Sequence, residues 1–317
     1  MFSALSSRVN LFLVGAAKAG TSSLWAALRK HPEIFAPADE LNKEPSYFSA
    51  IARHNGISWY EGQFSNGARQ RYRLDASTAY LTSPEAAAQI YAYNPDARIL
   101  IVLRDPVARA YSLYNWMVAD GYEWAPTFER ALDLEDRRFL HPDDRRSMPQ
   151  YFWNYMYRRS GLYADQVSRY TRLFGDRVLL VSFADLVRNP DNEINRILDF
   201  LGVARRPLAV ERENPSLQVL NPRLSFTARR AQQWLGARLP ARFAATKARR
   251  DFLLRAVQSR HRPAPMRGDT KARLEQYFAP ELERVHRLFG LDLSGAALSP
   301  ATRHRCMNER GYWAHET

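Results

Sequence analysis

The stretch Val9-Asn10-Leu11-Phe12-Leu13-Val14 runs into Gly15-Ala16-Ala17-Lys18-Ala19-Gly20-Thr21-Ser22-Ser23, and it decides how the rest of this 317-residue chain is read. A mostly apolar run bounded by glycine reads as a buried strand, and the residues after it have a helical pattern. A strand that turns directly into a helix leaves backbone N–H groups unpaired. With the positive end of the helix dipole, these form a cradle for a phosphate. The ordinary nucleotide loop reads G-x-x-x-x-G-K-[ST], with lysine after the second glycine to reach the terminal phosphates. Here four residues still separate Gly15 from Gly20, but the lysine stands inside the loop as Lys18, and Thr21 follows Gly20. That shift argues against an ATPase or kinase loop and for a nucleotide whose reacting group sits near the loop centre.

Strand-to-helix turns also use glycine for purely geometric reasons, so a second feature has to support the first. Ala97-Arg98-Ile99-Leu100-Ile101-Val102-Leu103 has the continuous apolar character of a buried parallel strand. It ends in Arg104-Asp105-Pro106, followed by Val107-Ala108-Arg109-Ala110-Tyr111-Ser112. Asp105 suits a helix cap and Pro106 the first helical turn. Arg104 is thereby left at the carboxyl end of a central strand, where open α/β sheets bind ligands. Its guanidinium can grip a phosphate with two parallel hydrogen bonds, and Ser112 on the following helix can add a hydroxyl.

Taken together, four stretches resemble the sulfotransferases that use 3′-phosphoadenosine 5′-phosphosulfate (PAPS), in particular the carbohydrate type that includes the heparan sulfate enzymes. They are Gly15 to Leu24, Lys43-Glu44-Pro45-Ser46-Tyr47-Phe48, Thr78-Ala79-Tyr80-Leu81-Thr82-Ser83-Pro84 and Arg104 to Ser112. Weaker likeness continues through Ser160-Gly161-Leu162-Tyr163 and Val178 to Phe183. The resemblance implies PAPS as sulfuryl donor, 3′-phosphoadenosine 5′-phosphate (PAP) as product, no metal, and a glycan or small-molecule acceptor. It implies Lys18 beside the leaving oxygen, Thr21, Ser22 and Ser23 with backbone donors from Ala19, Gly20 and Thr21 on the 5′-phosphate, and Arg104 and Ser112 on the 3′-phosphate. Glu44 is implied as general base, with Pro45, Tyr47 and Phe48 as an apolar wall raising its pKa; the alternative is that Glu44 pairs with Lys43 or Lys18. His54 is the rival base, ahead of His31, which precedes Pro32 and suits a helix end. Tyr163, Arg260 and Arg262 are further implied cofactor contacts.

The chain departs from that pattern in three places. Ala76 stands where the heparan-type enzymes have lysine, and Ser46 where a related enzyme has histidine. Ser259-Arg260-His261-Arg262 only echoes a late Lys-Gly-Arg loop. Acceptor recognition is the part of the resemblance that transfers least.

Composition sets the remaining bounds. With 46% hydrophobic residues the chain is long enough for one α/β domain with a sizeable core. We expect a P-loop-like parallel sheet flanked by helices over about 1–205, the PAPS-binding core, and a mostly helical acceptor or lid region over about 206–317. No run of about eighteen apolar residues is present, so membrane insertion is not expected. The single Cys306 excludes an internal disulfide and suits a reducing compartment, so the expectation is a soluble, cytoplasmic, bacterial member. A net charge of +13 attracts polyanions, but the arginines of the C-terminal third are spread along helical patterns without a nucleic-acid motif. A kinase-like nucleotide enzyme and a non-catalytic polyanion-binding module are the competing classes.

Along the chain, strands are expected at Val9–Val14, up to Asp75, at Ile99–Leu103 and at Val178–Phe183. Helices are expected at Thr21–Lys30, Ser83–Tyr93, Val107–Asp120, Leu162–Phe174 and Asp191–Leu201, with helical blocks at Asn221–Leu239 and Thr270–Phe289. The charged, proline-containing segment Gly121–Ser147 is expected as a mobile insertion.

Overall fold

Apolar runs that alternate with amphipathic ones build a parallel sheet with its crossovers on both faces, because a strand buried on each side needs cover on each side. A computed structural model describes residues 8–37, 43–49, 51–144, 148–211, 218–219, 221–236, 258–259 and 264–293. Five strands, β1 (Leu11–Gly15), β2 (Ile34–Phe35), β3 (Tyr72–Asp75), β4 (Arg98–Leu103) and β5 (Val178–Ser182), form one sheet in the order β2-β3-β1-β4-β5. Every pairing in it is parallel. β1 is buried along its whole length, and Leu100 of β4 lies between Leu13 and Leu179 in register.

Helices α1 (Thr21–Leu28), α4 (Ala86–Tyr93), α5 (Pro106–Ala119), α7 (Tyr163–Phe174), α8 (Phe183–Arg188) and α9 (Pro190–Leu201) connect and cover the strands, with short helices α2 (Ile57–Gly62) and α3 (Ala79–Thr82) between them. The chain leaves β1 toward β2 on one side, while β4 continues to β5 on the other. The carboxyl ends of β1 and β4 therefore form the point where the winding reverses, which is where open α/β sheets hold ligands.

The expected helix Ser83–Tyr93 starts later, at Ala86, as α4, and the short helix α3 precedes it. Ser83 is extended ahead of Pro84, as the ring of a following proline requires, and this separates α3 from α4.

The expectation of a mobile insertion at Gly121–Ser147 is not met over its described part. Thr127 caps α6 (Phe128–Leu140) by accepting from the Arg130 N–H at 3.2 Å. Its buried charges are partnered: Arg138 donates to both oxygens of buried Glu123 at 2.7 and 2.8 Å, and Tyr157 adds a third bond at 2.7 Å. A buried charge stays only when paired in this way. A second hydrophobic cluster forms here, in which Phe128, Tyr114, Met117 and Tyr157 meet Leu274 and Phe278 of α11 (Gly268–Phe289).

In the C-terminal region, α10 (Pro222–Gly236) and α11 are helical as expected, and a short antiparallel pair joins β6 (Gln218–Val219) to β7 (Gln258–Ser259). Leu239, Arg260, Arg262 and Cys306 lie outside the described residues.

Leu100→Ala tests this core. Removing a fully buried side chain from an interior strand is expected to lower unfolding free energy by about 2–5 kcal/mol in urea titrations. A loss near zero would mean that β4 is not packed within the core.

Candidate active site

The carboxyl end of β1 opens directly into the loop 16–20 and then α1. Gly20 adopts φ 83° as the residue before α1, a left-handed conformation open to glycine at little cost. It also has no room for a side chain: a Cβ there would stand 2.9 Å from the Phe183 ring. The Ala19 N–H turns back onto the Ala16 carbonyl at 3.1 Å. This corrects one expectation, since Ala19 is not a donor to a ligand in this loop conformation. The cradle instead begins at Gly20, whose N–H, with those of Thr21 and Ser22, opens the helix without an intrahelical acceptor.

β4 ends beside this loop. Asp105 caps α5 by accepting the Ala108 N–H at 2.6 Å, and Pro106 occupies the first turn, as read from the sequence. Arg104 turns toward the loop, donating from Nη1 to the Lys18 carbonyl at 2.9 Å, with its guanidinium 4.8 Å from the Phe183 ring centroid. Ser112 lies two turns into α5, on the helix face that carries Asp105, and is partly exposed. A cleft of about 310 Å³ runs from Arg104 and Asp105 past Ser182, Phe183 and Val187 to Leu293.

The segment carrying Glu44 is pinned to the end of β3. The buried Asp75 carboxylate accepts from the Tyr60 and Tyr80 hydroxyls at 2.9 and 2.8 Å and from Ser77 N and Oγ at 3.0 and 2.5 Å. Burial pushes Asp75 up to about 6 despite these bonds. Ser77 Oγ in turn accepts the Ser46 N–H at 2.9 Å, and the Ala76 N–H donates to the Lys43 carbonyl at 3.3 Å. Glu44 Oε1 then accepts from Lys43 Nζ at 2.9 Å, while Oε2 accepts from Thr78 N at 3.3 Å and Thr78 Oγ1 at 2.8 Å. Lys43 Nζ also donates to Ser22 Oγ at 2.9 Å, linking this segment to α1.

The apolar wall expected around Glu44 is not there. Phe48 packs inward on Phe12, Tyr60 and Tyr80, and Tyr47 stacks on Tyr60. Desolvation pushes the Glu44 pKa up, but Lys43, by charge and hydrogen bond, and Thr78 pull it down further, leaving it below the ordinary carboxylate value. Glu44 is therefore ionised at neutral pH and paired with Lys43.

Lys18 is half-buried between the loop and α5, with Nζ 5.5 Å from the centroid of Trp116. Desolvation lowers its pKa to about 8; Asp120 opposes this, Arg104 and Lys43 reinforce it, and Glu44 opposes it weakly. Like charges gathered where water is scarce are what an anionic ligand would relieve.

Other expected residues lie elsewhere. Tyr163 is fully buried and donates its hydroxyl to the Arg104 carbonyl at 3.0 Å, so it holds the backbone of Arg104 and does not line the cleft. His31 is also buried, its ring contacting Ala204 O and the Glu33 N–H at 3.0 and 3.2 Å, a structural role. His54 is exposed in a 3-10 turn. Residue reading had not singled out Thr78, Trp116, Asp120 or Phe183 as site groups. Thr78 and Phe183 lay inside the quoted segments; Trp116 and Asp120 carry only a helical i, i+4 spacing.

A parallel sheet flanked by helices, whose first strand opens into a glycine-bounded loop beside the cationic end of its neighbour, defines an α/β protein of the P-loop-like class. The chain belongs to the sulfotransferase family: residues 8–248 match the model of the sulfotransferase domain. It is 31% identical over 194 residues to mouse heparan sulfate glucosamine 3-O-sulfotransferase 6, covering 61% of this chain and 52% of that protein. Mouse heparan sulfate glucosamine 3-O-sulfotransferase 3B1 is likewise 31% identical over 194 residues, 61% of this chain and 46% of its own length. The chain thus spans about half the length of these curated relatives. A sulfotransferase crystal structure from Alicyclobacillus acidocaldarius superposes with a TM-score of 0.64 at 27% identity, over 90% of this chain and 98% of that one. Among the described residues no cluster of three or more His, Cys, Asp or Glu could hold a metal, and no helix is long and apolar enough to cross a membrane.

The Lys18 environment makes a signed prediction. Between about pH 8 and 10.5 the unfolded chain holds a proton that native Lys18 has lost, so stability should rise with pH across that window. Lys18→Met lacks this contribution, and urea titrations of both proteins are expected to show wild type gaining relative to the variant as pH increases. A constant difference would mean that Lys18 is not desolvated.

Proposed function

We propose that the chain is a PAPS-dependent O-sulfotransferase acting on a hydroxyl of a glycan or small molecule. The observation that carries this is the convergence of Lys18, Arg104 and the Lys43–Glu44–Thr78 cluster at the carboxyl ends of β1, β3 and β4, in a member of the sulfotransferase family.

The residues present suit a doubly phosphorylated nucleotide. The N–H groups from Gly20 to Ser22 and the Ser22 and Ser23 hydroxyls suit the 5′-phosphate, with Lys18 beside them. Arg104 and Ser112 suit the 3′-phosphate. Phe183 offers a ring face to the nucleoside in a cleft of fitting size, about 310 Å³. PAPS, when bound, supplies an activated sulfuryl group, so the protein has only to place the acceptor in line, remove one proton and stabilise the departing charge.

Glu44 takes the acceptor proton. It is already ionised, and with Thr78 filling both acceptor positions of Oε2, one lone pair remains on Oε1 for the incoming O–H. The acceptor oxygen forms the new S–O bond, the bond from sulfur to the bridging oxygen breaks, and its electron pair stays on the phosphate. Lys18, held at the loop centre, stabilises that charge. Bound anion raises the proton affinity of Lys18, so it is charged when needed.

The likeness to heparan sulfate enzymes supports a sugar hydroxyl, whereas Ala76 and Ser46 remove two polar contacts of that pattern. Neutral glycans and glycosylated small molecules therefore fit better than strongly sulfated chains.

The test is transfer of ³⁵S-sulfate from PAPS across a panel of such acceptors. Glu44→Gln should lower turnover by about 10²- to 10⁴-fold while keeping the heat-shift given by PAP; full turnover would remove Glu44 as base. Arg104→Ala should weaken PAP far more than adenosine 5′-phosphosulfate, and equal losses would reject its 3′-phosphate role. If ATP stabilised the wild type more than PAP did, the kinase-like class would take precedence.

A further inference from the structure

Lys43 is 6% exposed, and an ammonium in that position persists only with partners. It has two, each at 2.9 Å: Glu44 Oε1 and Ser22 Oγ. One belongs to the segment that carries the base and the other to the helix end that forms the phosphate cradle. We propose that Lys43 is a positioning residue that locks the general base to the donor loop and whose charge is unmasked as the acceptor proton is transferred. This rests on the function proposed above.

Two consequences follow from counting donors and lone pairs. Ser22 Oγ accepts from Lys43, so its own hydrogen must point elsewhere, and the hydroxyl is left as a donor at the helix end where an anion belongs. Glu44 Oε1 is bonded to Lys43 and is also the oxygen with a lone pair to spare, so the acceptor proton arrives at the atom that Lys43 holds.

The charge balance changes with that proton. Before transfer, the Glu44 carboxylate offsets the Lys43 ammonium. Afterwards Glu44 is a neutral acid, and the Lys43 charge is uncompensated one hydroxyl away from the cradle. At the same moment the electron pair of the broken S–O bond builds negative charge on the phosphate. Base action and leaving-group stabilisation are thereby coupled through one side chain. The proton on Glu44 is released to water after product leaves, restoring the pair.

The groups acting on Glu44 are Lys43 on its own segment, Thr78 at the start of α3 and, more weakly, Lys18 from the loop after β1. A purely structural lysine would affect stability but leave the ionisation of Glu44 in place.

The experiment compares wild type, Lys43→Met and Lys43→Arg in kcat/KM against pH with PAPS and a working acceptor. It also follows the Glu44 carboxyl carbon by ¹³C NMR in the nucleotide-free protein, assigned with Glu44→Gln. For Lys43→Met we expect the acid limb and the Glu44 titration to move up by about one pH unit or more. Turnover should fall about tenfold or more while the KM for PAPS changes much less. Lys43→Arg, which keeps the charge, should return the limb to its wild-type position. A folded Lys43→Met with an unmoved acid limb and an unmoved Glu44 titration overturns the proposal. If Lys43→Met does not fold, a displaced limb in Lys43→Arg overturns it instead. Absence of any sulfuryl transfer by wild type would count against the function itself, while the NMR titration would still report on Lys43.

Discussion

The hydrogen bond from Arg104 Nη1 to the Lys18 carbonyl, 2.9 Å long, is the contact on which the site depends. It exists because β1 and β4 are parallel neighbours, so their carboxyl ends emerge side by side. The loop after β1 and the segment after β4 are distant in sequence and are made into one surface by this bond. Tyr163 secures it from beneath through the Arg104 carbonyl, and Phe183 packs against both Arg104 and Gly20. Without the adjacency of the two strands there would be two separate cationic turns.

The same convergence creates an electrostatic problem. Lys43 and Arg104 both act on Lys18, and the lowered pKa of Lys18 expresses desolvation first and this repulsion second. Glu44 and Asp120 relieve part of it. An anion with charge at both ends of a nucleoside would relieve the rest, which is why ligand binding and the ionisation of these side chains belong to one account. Asp75 has a different task. Its buried carboxylate collects two tyrosine hydroxyls and Ser77, and through Ser77 and the Ala76 N–H it fixes the backbone that presents Lys43 and Glu44.

Much of this was legible in the residues, and for physical reasons. Strands buried on both faces must be apolar throughout, so β1 and β4 announced themselves; the edge strand β5, half-buried over Val178–Leu180, was legible from its apolar run alone, and the cap at Asp105-Pro106 placed α5 to within a residue. The shifted lysine and the arginine after β4 carried the family. What local pattern could not carry was pairing at a distance. The charged segment around α6 reads as a mobile insertion because nothing near Arg138 in sequence reveals that Glu123 and Tyr157 will enclose it. The tyrosine and phenylalanine after Glu44 suggested an apolar wall, yet both rings turn to the aromatic cluster around Tyr60, and Glu44 gains Lys43 and Thr78 instead. Ala19 was read as a donor because the loop motif describes spacing and not which N–H closes the turn.

A crystal structure of this protein with PAP would test the central claim most directly. The account predicts one nucleotide lying across the ends of β1 and β4, its 5′-phosphate on the N–H groups from Gly20 to Ser22 beside Lys18 and its 3′-phosphate on Arg104 and Ser112. Nucleotide density that leaves Arg104 untouched, or that lies away from the Gly20 turn, would contradict it.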